Sequence, residues 1–196
     1  MTKEILFASQ NYHKVEEIRK LLPLEFSLLS LKDLKWTLEI PEPFDTYAAN
    51  AKAKAYFVFD RTGLTCFADD SGLEIDALHG RPGIFSARYA GPERSHPENI
   101  RKVLTELEGV VNRSARFRAI IAYINNAKEV LIFEGKVEGT ISTVTMGDGG
   151  FGYDPIFIPD GFDQTFGQLP DNLKNKISHR ALAIQKFVEY LISTHQ

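Results

Sequence analysis

The chain has 196 residues, 43% hydrophobic and 25% charged, with a formal net charge of −3. That size and apolar content fit one globular domain over residues 1–196, and the lack of a basic excess argues against a nucleic-acid partner. One cysteine, Cys66, excludes an internal disulfide and a Cys-based metal cage, and the absence of an apolar run of about 18 residues predicts no membrane span.

Ile5-Leu6-Phe7-Ala8 predicts a short buried strand. The apolar part of this N-terminal stretch is too short for a signal peptide, so a reducing, cytoplasmic setting is expected. Ser9-Gln10-Asn11 follows, then a helical pattern with Val15, Ile18, Leu21 and Leu22 on one face, stopped at Pro23. A strand-to-helix corner aims backbone N–H groups and the helix dipole at an anion, and Lys14 adds a full charge. Ser9 and Asn11 also suit ordinary N-caps, so an anion site and a plain cap both remain open here.

Glu25 to Leu31 predicts a second strand. A loop from Lys32 to Phe44 carries Glu39 and Glu42 among Pro41 and Pro43. Asp45 or Thr46 then caps a helix running to about Arg61 and closed by Gly63. Ala51, Ala55 and Val58 form its apolar stripe, and Lys52 and Lys54 are expected to leave on other sides.

The apolar run Leu64 to Ala68 ends on Asp69-Asp70-Ser71-Gly72. Two adjacent carboxylates raise one pKa or recruit a cation. Mg²⁺ takes oxygen ligands of this kind and needs only one or two carboxylates when phosphate oxygens complete its shell. The competing reading is a turn, since Asp, Ser and Gly all favour one. Leu73 to Leu78 predicts a further strand, and Ser95-His96-Pro97-Glu98 is a capping box opening a helix with Ile100, Val103, Leu104 and Leu107 inward. Ala115 to Tyr123 and Glu129 to Gly139 predict two strands joined by a hairpin at Asn125 to Lys128.

Gly149-Gly150-Phe151-Gly152-Tyr153-Asp154-Pro155 lets backbone approach a ligand closely. An aromatic ring held there offers a nucleobase a stacking face worth about 1–3 kcal/mol. A glycine-rich loop with Phe151 as a core plug is the alternative. A short strand, Ile156 to Ile158, follows, and Lys174 to Arg180 leads into a last helix with Ser178 as its expected N-cap. His179 and Arg180 then sit in its first turn, where cations oppose the dipole unless a ligand compensates.

Five stretches together resemble one family, the inosine triphosphate pyrophosphatases, also called dITP/XTP pyrophosphatases. They are Ser9-Gln10-Asn11-Tyr12-His13-Lys14, Asp69-Asp70-Ser71-Gly72-Leu73, Pro82-Gly83-Ile84-Phe85-Ser86-Ala87-Arg88-Tyr89, Gly149 to Pro155, and Ser178-His179-Arg180, in the family's order. The resemblance implies an α/β fold, with an elongated mixed β-sheet flanked by helices and two lobes with a central cleft. It implies Mg²⁺-dependent hydrolysis of ITP, dITP and XTP to the monophosphate and pyrophosphate by a homodimer. Carried over by motif, Ser9, Gln10, Asn11, Tyr12, His13 and Lys14 bind the triphosphate, and Ser71 contacts substrate. Asp70 is metal ligand and general base. Phe151, Gly152, Tyr153 and Asp154 form the base pocket, completed by Lys174, His179 and Arg180, whose donors suit a purine 6-keto oxygen.

Two places depart from the family pattern. A Glu often precedes the Asn of its Thr-Phe-x-Glu-Asn-Ala stretch, and here Ala49 stands there, in Thr46-Tyr47-Ala48-Ala49-Asn50-Ala51. The loop that typically reads Glu-Glu-Thr-Gly is Pro41-Glu42-Pro43-Phe44-Asp45, which makes Glu42 the second metal ligand, with Glu39 as the alternative. A non-catalytic nucleotide-binding module and a phosphatase for other nucleotides are the rival functions.

Overall fold

The computed structural model describes residues 2–194, which form six strands and five α-helices. The strands make one sheet in the order β2-β1-β3-β4-β5-β6. β1 (Lys3–Phe7) pairs in parallel with β2 (Phe26–Ser30) and with β3 (Cys66–Ile75). β5 (Val130–Ile141) pairs antiparallel with β6 (Phe157–Pro159), and β4 (Ser114–Ile124) lies between β3 and β5, so the sheet is mixed. Among the described residues no helix is long and apolar enough to cross a membrane.

Two compact units divide the chain. The first comprises Met1–Asp70, Ala119–Gly135 and Arg180–Gln196. Here α1 (Tyr12–Leu21) begins at Asn11, whose side chain accepts from the Lys14 N–H at 3.2 Å, and ends before Pro23. Val15 and Ile18 of α1 and Ala183, Phe187 and Leu191 of α5 (His179–Ser193) join Ile5, Phe7 and Phe67 in one buried cluster. Phe67 stacks on Phe7 at 4.7 Å and meets Phe187 at 4.9 Å. The preceding position along β3 points the other way, as strand alternation requires. There the Cys66 thiol donates to the Ala55 carbonyl of α2 (Tyr47–Thr62) at 3.3 Å. So α1 and α5 cover one face of these strands and α2 the other. Each fully buried Phe of the cluster contributes about 1.5–3 kcal/mol by leaving water.

The second unit comprises Ser71–Arg118 and Lys136–His179. α3 (His96–Glu106) is capped by the Ser95 hydroxyl, which accepts from the Glu98 N–H at 3.4 Å, with Pro97 in the first turn. Its Ile100 and Val103 pack with Leu73, Ile75, Phe117, Phe157 and Phe166. The His179 ring lies flat on Phe117, 4.6 Å between centres and 10° from parallel.

Two elements differ from the sequence expectation. Asp69-Asp70-Ser71-Gly72 is no corner: β3 runs without a break through all four, for ten residues. A short helix, α4 (Asp171–Ile177), precedes α5, and Ser178 closes it by donating its N–H to the Lys174 carbonyl at 2.9 Å.

Candidate active site

Alternation along β3 sends the two neighbouring aspartates to different faces. Asp69, 1% exposed, faces α1 and α5. The Lys14 ammonium lies 2.9 Å from its carboxylate, and Arg180 Nε donates to Oδ2 at 3.4 Å. The Arg180 guanidinium also pairs with Glu17 of α1, which is itself buried. Burial opposes ionisation of Asp69, but Lys14, Arg180 and Lys54 outweigh it and hold the carboxyl well below the usual carboxylate range. For Lys14, burial wins and lowers the ammonium pKa even against the attraction of Asp69.

Asp70, 6% exposed, faces α2. The Asn50 side chain donates to its Oδ2 at 3.2 Å. The same amide grips Phe44 twice, accepting from its N–H at 2.9 Å and donating to its carbonyl at 3.0 Å. Asn50 thereby fixes the loop that carries Glu42. Lys54, one helical turn on, sits between the two acids: its ammonium is 2.8 Å from Glu42 and 3.6 Å from Asp70. Burial pushes the Asp70 carboxyl up, and the neighbouring negative charges of Glu42 and Asp69 add to that, against the pull of Lys54 and Lys14. Lys54 is 7% exposed, and although burial disfavours its charge, Asp70, Asp69 and Glu42 together raise its pKa. This corrects the expectation that Lys54 leaves α2 on a side away from its apolar stripe: it is buried with Ala51, Ala55 and Val58. Glu39, the alternative to Glu42, is exposed.

The remaining residues of the first stretch divide. The Ser9 hydroxyl accepts from the Asn11 N–H at 3.2 Å, while Gln10 and His13 are exposed and Tyr12 is 63% exposed. Ser71 is half-buried on β3.

The second unit holds the glycine-rich loop. Asp154 Oδ2 accepts from the Phe151 N–H at 2.7 Å and from the Lys174 ammonium at 2.8 Å, and that ammonium lies 5.4 Å from the centre of the Phe151 ring. Gly150 has φ +72, and a Cβ there would stand 2.1 Å from Asp154 Oδ2, so glycine is required. Tyr153 is buried and donates its hydroxyl to the Ser86 carbonyl at 2.8 Å. The Gly152 N–H donates to Nδ1 of His96 at 3.2 Å. The structure thus brings Phe151, Asp154 and Lys174 together. Arg180, expected beside Phe151, has its donors on Glu17 and Asp69.

Comparison with known proteins decides the family. A model of the Ham1 family matches residues 5–190. The chain belongs to the Ham1 family. This Ham1 chain is 44% identical to a dITP/XTP pyrophosphatase of Flavobacterium johnsoniae over 97% of its own length and 99% of that protein. It is 46% identical to one of Bacillus licheniformis, over 94% of this chain and 95% of the other. It is similar in structure to the Staphylococcus aureus Ham1 protein, with a TM-score of 0.89 at 37% identity, covering 98% of this chain and 100% of that one. A Coxiella burnetii HAM1 protein matches at TM-score 0.88 and 40% identity, over 98% and 100% of the two chains.

Sequence reasoning missed Glu17, Lys54 and His96 as members of these clusters and treated Asn50 only as part of a motif. One signal was present for the Ham1 chain's α2: Asn50 and Lys54 are four apart and share the face of Tyr47, Ala51, Ala55 and Val58.

Proposed function

We propose that this chain hydrolyses deaminated purine nucleoside triphosphates (ITP, dITP and XTP) to the monophosphate and pyrophosphate, with Mg²⁺ as cofactor and as a homodimer. The observation that carries the reading is the buried Asp70 carboxylate, raised by burial and facing a second carboxylate, Glu42, across the Lys54 ammonium. A carboxylate pushed up in this way is a better proton acceptor near neutral pH than an ordinary one. The Asn50 amide holds Oδ2, and Oδ1, 3.6 Å from the Lys54 ammonium, would take the proton of a water attacking the α-phosphorus.

The donor set fits a divalent ion. Among the described residues no group of three His, Cys, Asp or Glu side chains could hold a metal alone. Two carboxylates plus phosphate oxygens are the usual set for Mg²⁺, and Glu42 and Asp70 supply the two. Charge balance points the same way. Three cations, Lys14, Lys54 and Arg180, face four carboxylates, Glu17, Glu42, Asp69 and Asp70, so a triphosphate needs further positive charge. Mg²⁺ bound there would supply that charge and polarise the phosphoryl oxygens. Lys14, at the start of α1, would meet the phosphate tail, and Phe151 and Lys174 would meet the base.

The test is pyrophosphate release from ITP, dITP and XTP against ATP and GTP, with Mg²⁺ and with a chelator. The reading expects pyrophosphate, preference for the deaminated bases, and loss of turnover with chelator that Mg²⁺ restores. Release of orthophosphate would favour the rival phosphatase, and binding without turnover the non-catalytic module. Light scattering tests the dimer, which should have twice the chain mass of 22.1 kDa.

A further inference from the structure

We infer that His96 is a positioning residue for base recognition, holding Phe151 through the backbone of Gly152; this rests on the reading of Phe151 as the base-stacking face. The Gly152 N–H is 3.2 Å from His96 Nδ1, and the two rings, His96 and Phe151, have centres 6.2 Å apart. A backbone N–H can only donate, so Nδ1 must present a lone pair. In this arrangement the imidazole is neutral and carries its proton on Nε2. Helix α3 makes the placement rigid. Ser95 is its cap, Pro97 stiffens its first turn, and His96 is its first residue.

The neighbouring loop residues are tied by other groups. The Phe151 N–H goes to the Asp154 carboxylate and the Tyr153 hydroxyl to a carbonyl, that of Ser86. Gly152, at φ +64, is held by an imidazole instead. His96 and Phe151 also line one cavity of about 590 Å³, walled by Ile100, Leu104 and Pro155. The charged groups lining it are Arg101 of α3, Glu108 in the turn that follows α3, and Asp148 of the loop. Arg101 pairs with Glu98 on the first turn that His96 opens, and Asp154 pairs with Lys174. Protonation would turn Nδ1 into a donor facing a donor. The contact then breaks, the cavity gives the ring room to turn, and Phe151 loses one of its restraints. Base affinity therefore falls as pH drops through the imidazole titration, which for an ordinary His lies near about 6.5. Turnover is spared, because the phosphate is handled by Asp70 and its neighbours.

The experiment measures KM and kcat for ITP between about pH 5.5 and about pH 8.5 in the full chain, His96→Leu and His96→Asn. Inhibition by inorganic tripolyphosphate, which has no base, is measured beside them. Asn places an oxygen where Nδ1 stands and does not titrate. At the alkaline end, His96→Leu should raise KM for ITP roughly threefold to tenfold, the worth of one hydrogen bond, with kcat and tripolyphosphate inhibition little changed. His96→Asn should restore most of that affinity and abolish the rise in KM at low pH. An unchanged KM in His96→Leu overturns the proposal. So does an equal weakening of tripolyphosphate, which marks general loosening, and so does a wild-type pH dependence of KM in His96→Asn. If the unaltered chain does not hydrolyse ITP, the functional reading itself falls.

Discussion

Asp69 and Asp70 are neighbours in sequence, and their carboxyls are shifted in opposite directions. Asp70 is raised by burial, so a base at this position is protonated, and turnover lost, at a higher pH than an ordinary carboxylate near about 3.9 would give. The acid limb of kcat/KM should lie above that value and vanish with Asp70→Asn, which should lower kcat at least about 10²-fold while leaving the fold intact. Near-normal turnover in that variant would remove Asp70 from the chemistry. Asp69 is held low by Lys14, Arg180 and Lys54 despite its burial. A depressed folded pKa means the ionised form favours the fold. Its contribution is present above the unfolded value near about 3.9 and is lost as pH falls through the folded value. Asp69→Asn should therefore cost about 3–5 kcal/mol at neutral pH, as for one half of a buried ion pair, and less near about pH 2.5. Urea unfolding at the two pH values measures this, and a loss independent of pH would show that the charge of Asp69 is not what stabilises. The partners of both acids were hard to read locally. Lys14 and Arg180 lie 55 and 111 residues from Asp69, and Asn50 lies 20 from Asp70.

At the scale of elements, periodicity located the four longer helices and most strand positions, because apolar residues at helical or alternating spacing must be buried on one side. β3 is where that method stopped. Asp, Ser and Gly favour turns, so a break at Asp69 is the local expectation. The strand continues because cations from α1, α2 and α5 neutralise its carboxylates, and no nearby residue announces them. Lys54 fails for a related reason: lysines are rarely buried, so Lys54 is assigned to a side away from the apolar stripe of α2 unless its acid partners are known. The glycine-rich loop was legible as a close-approach element, yet only coordinates separate the duties of its glycines. Gly150 stands against Asp154, while a Cβ on Gly152 meets nothing within 4 Å. Both have positive φ, so either alanine variant pays about 1–2 kcal/mol of backbone strain. Gly150→Ala should in addition displace Asp154 from the Phe151 N–H and from Lys174. We expect it to raise KM for ITP by roughly tenfold or more, well beyond Gly152→Ala, since a charged hydrogen bond is lost. If Gly152→Ala is the worse variant, the Asp154 contact is not what organises the loop.

At the scale of the whole molecule, each compact unit gathers separate stretches of chain, which a linear reading cannot sort. The first collects Lys14, Glu17, Glu42, Lys54, Asp69, Asp70 and Arg180, a set of charges suited to phosphates and proton transfer. The second collects Phe151, Asp154 and Lys174, an aromatic face with an oriented ammonium, suited to a base. The sequence aimed Arg180 at the purine keto oxygen. Its guanidinium donates to Glu17 and Asp69, and we propose Lys174, beside Phe151, as the donor to that oxygen. Inosine and xanthine present an acceptor at C6, which an ammonium satisfies. Adenine presents an amino group, a donor facing donors, and an unpaired buried polar group costs roughly 1–3 kcal/mol. Lys174→Met keeps most of the side-chain volume and removes the donor. It should narrow the ITP/ATP ratio of kcat/KM by about tenfold or more, chiefly by slowing ITP. Lys14→Ala should slow ITP and ATP by one common factor, since both carry the same phosphates. Arg180→Ala should follow Lys14→Ala. Guanine also has a 6-keto group, so Lys174→Met should leave the ITP/GTP ratio nearly unchanged. An Arg180→Ala variant that narrows the ITP/ATP ratio, with Lys174→Met leaving it intact, would return base reading to Arg180.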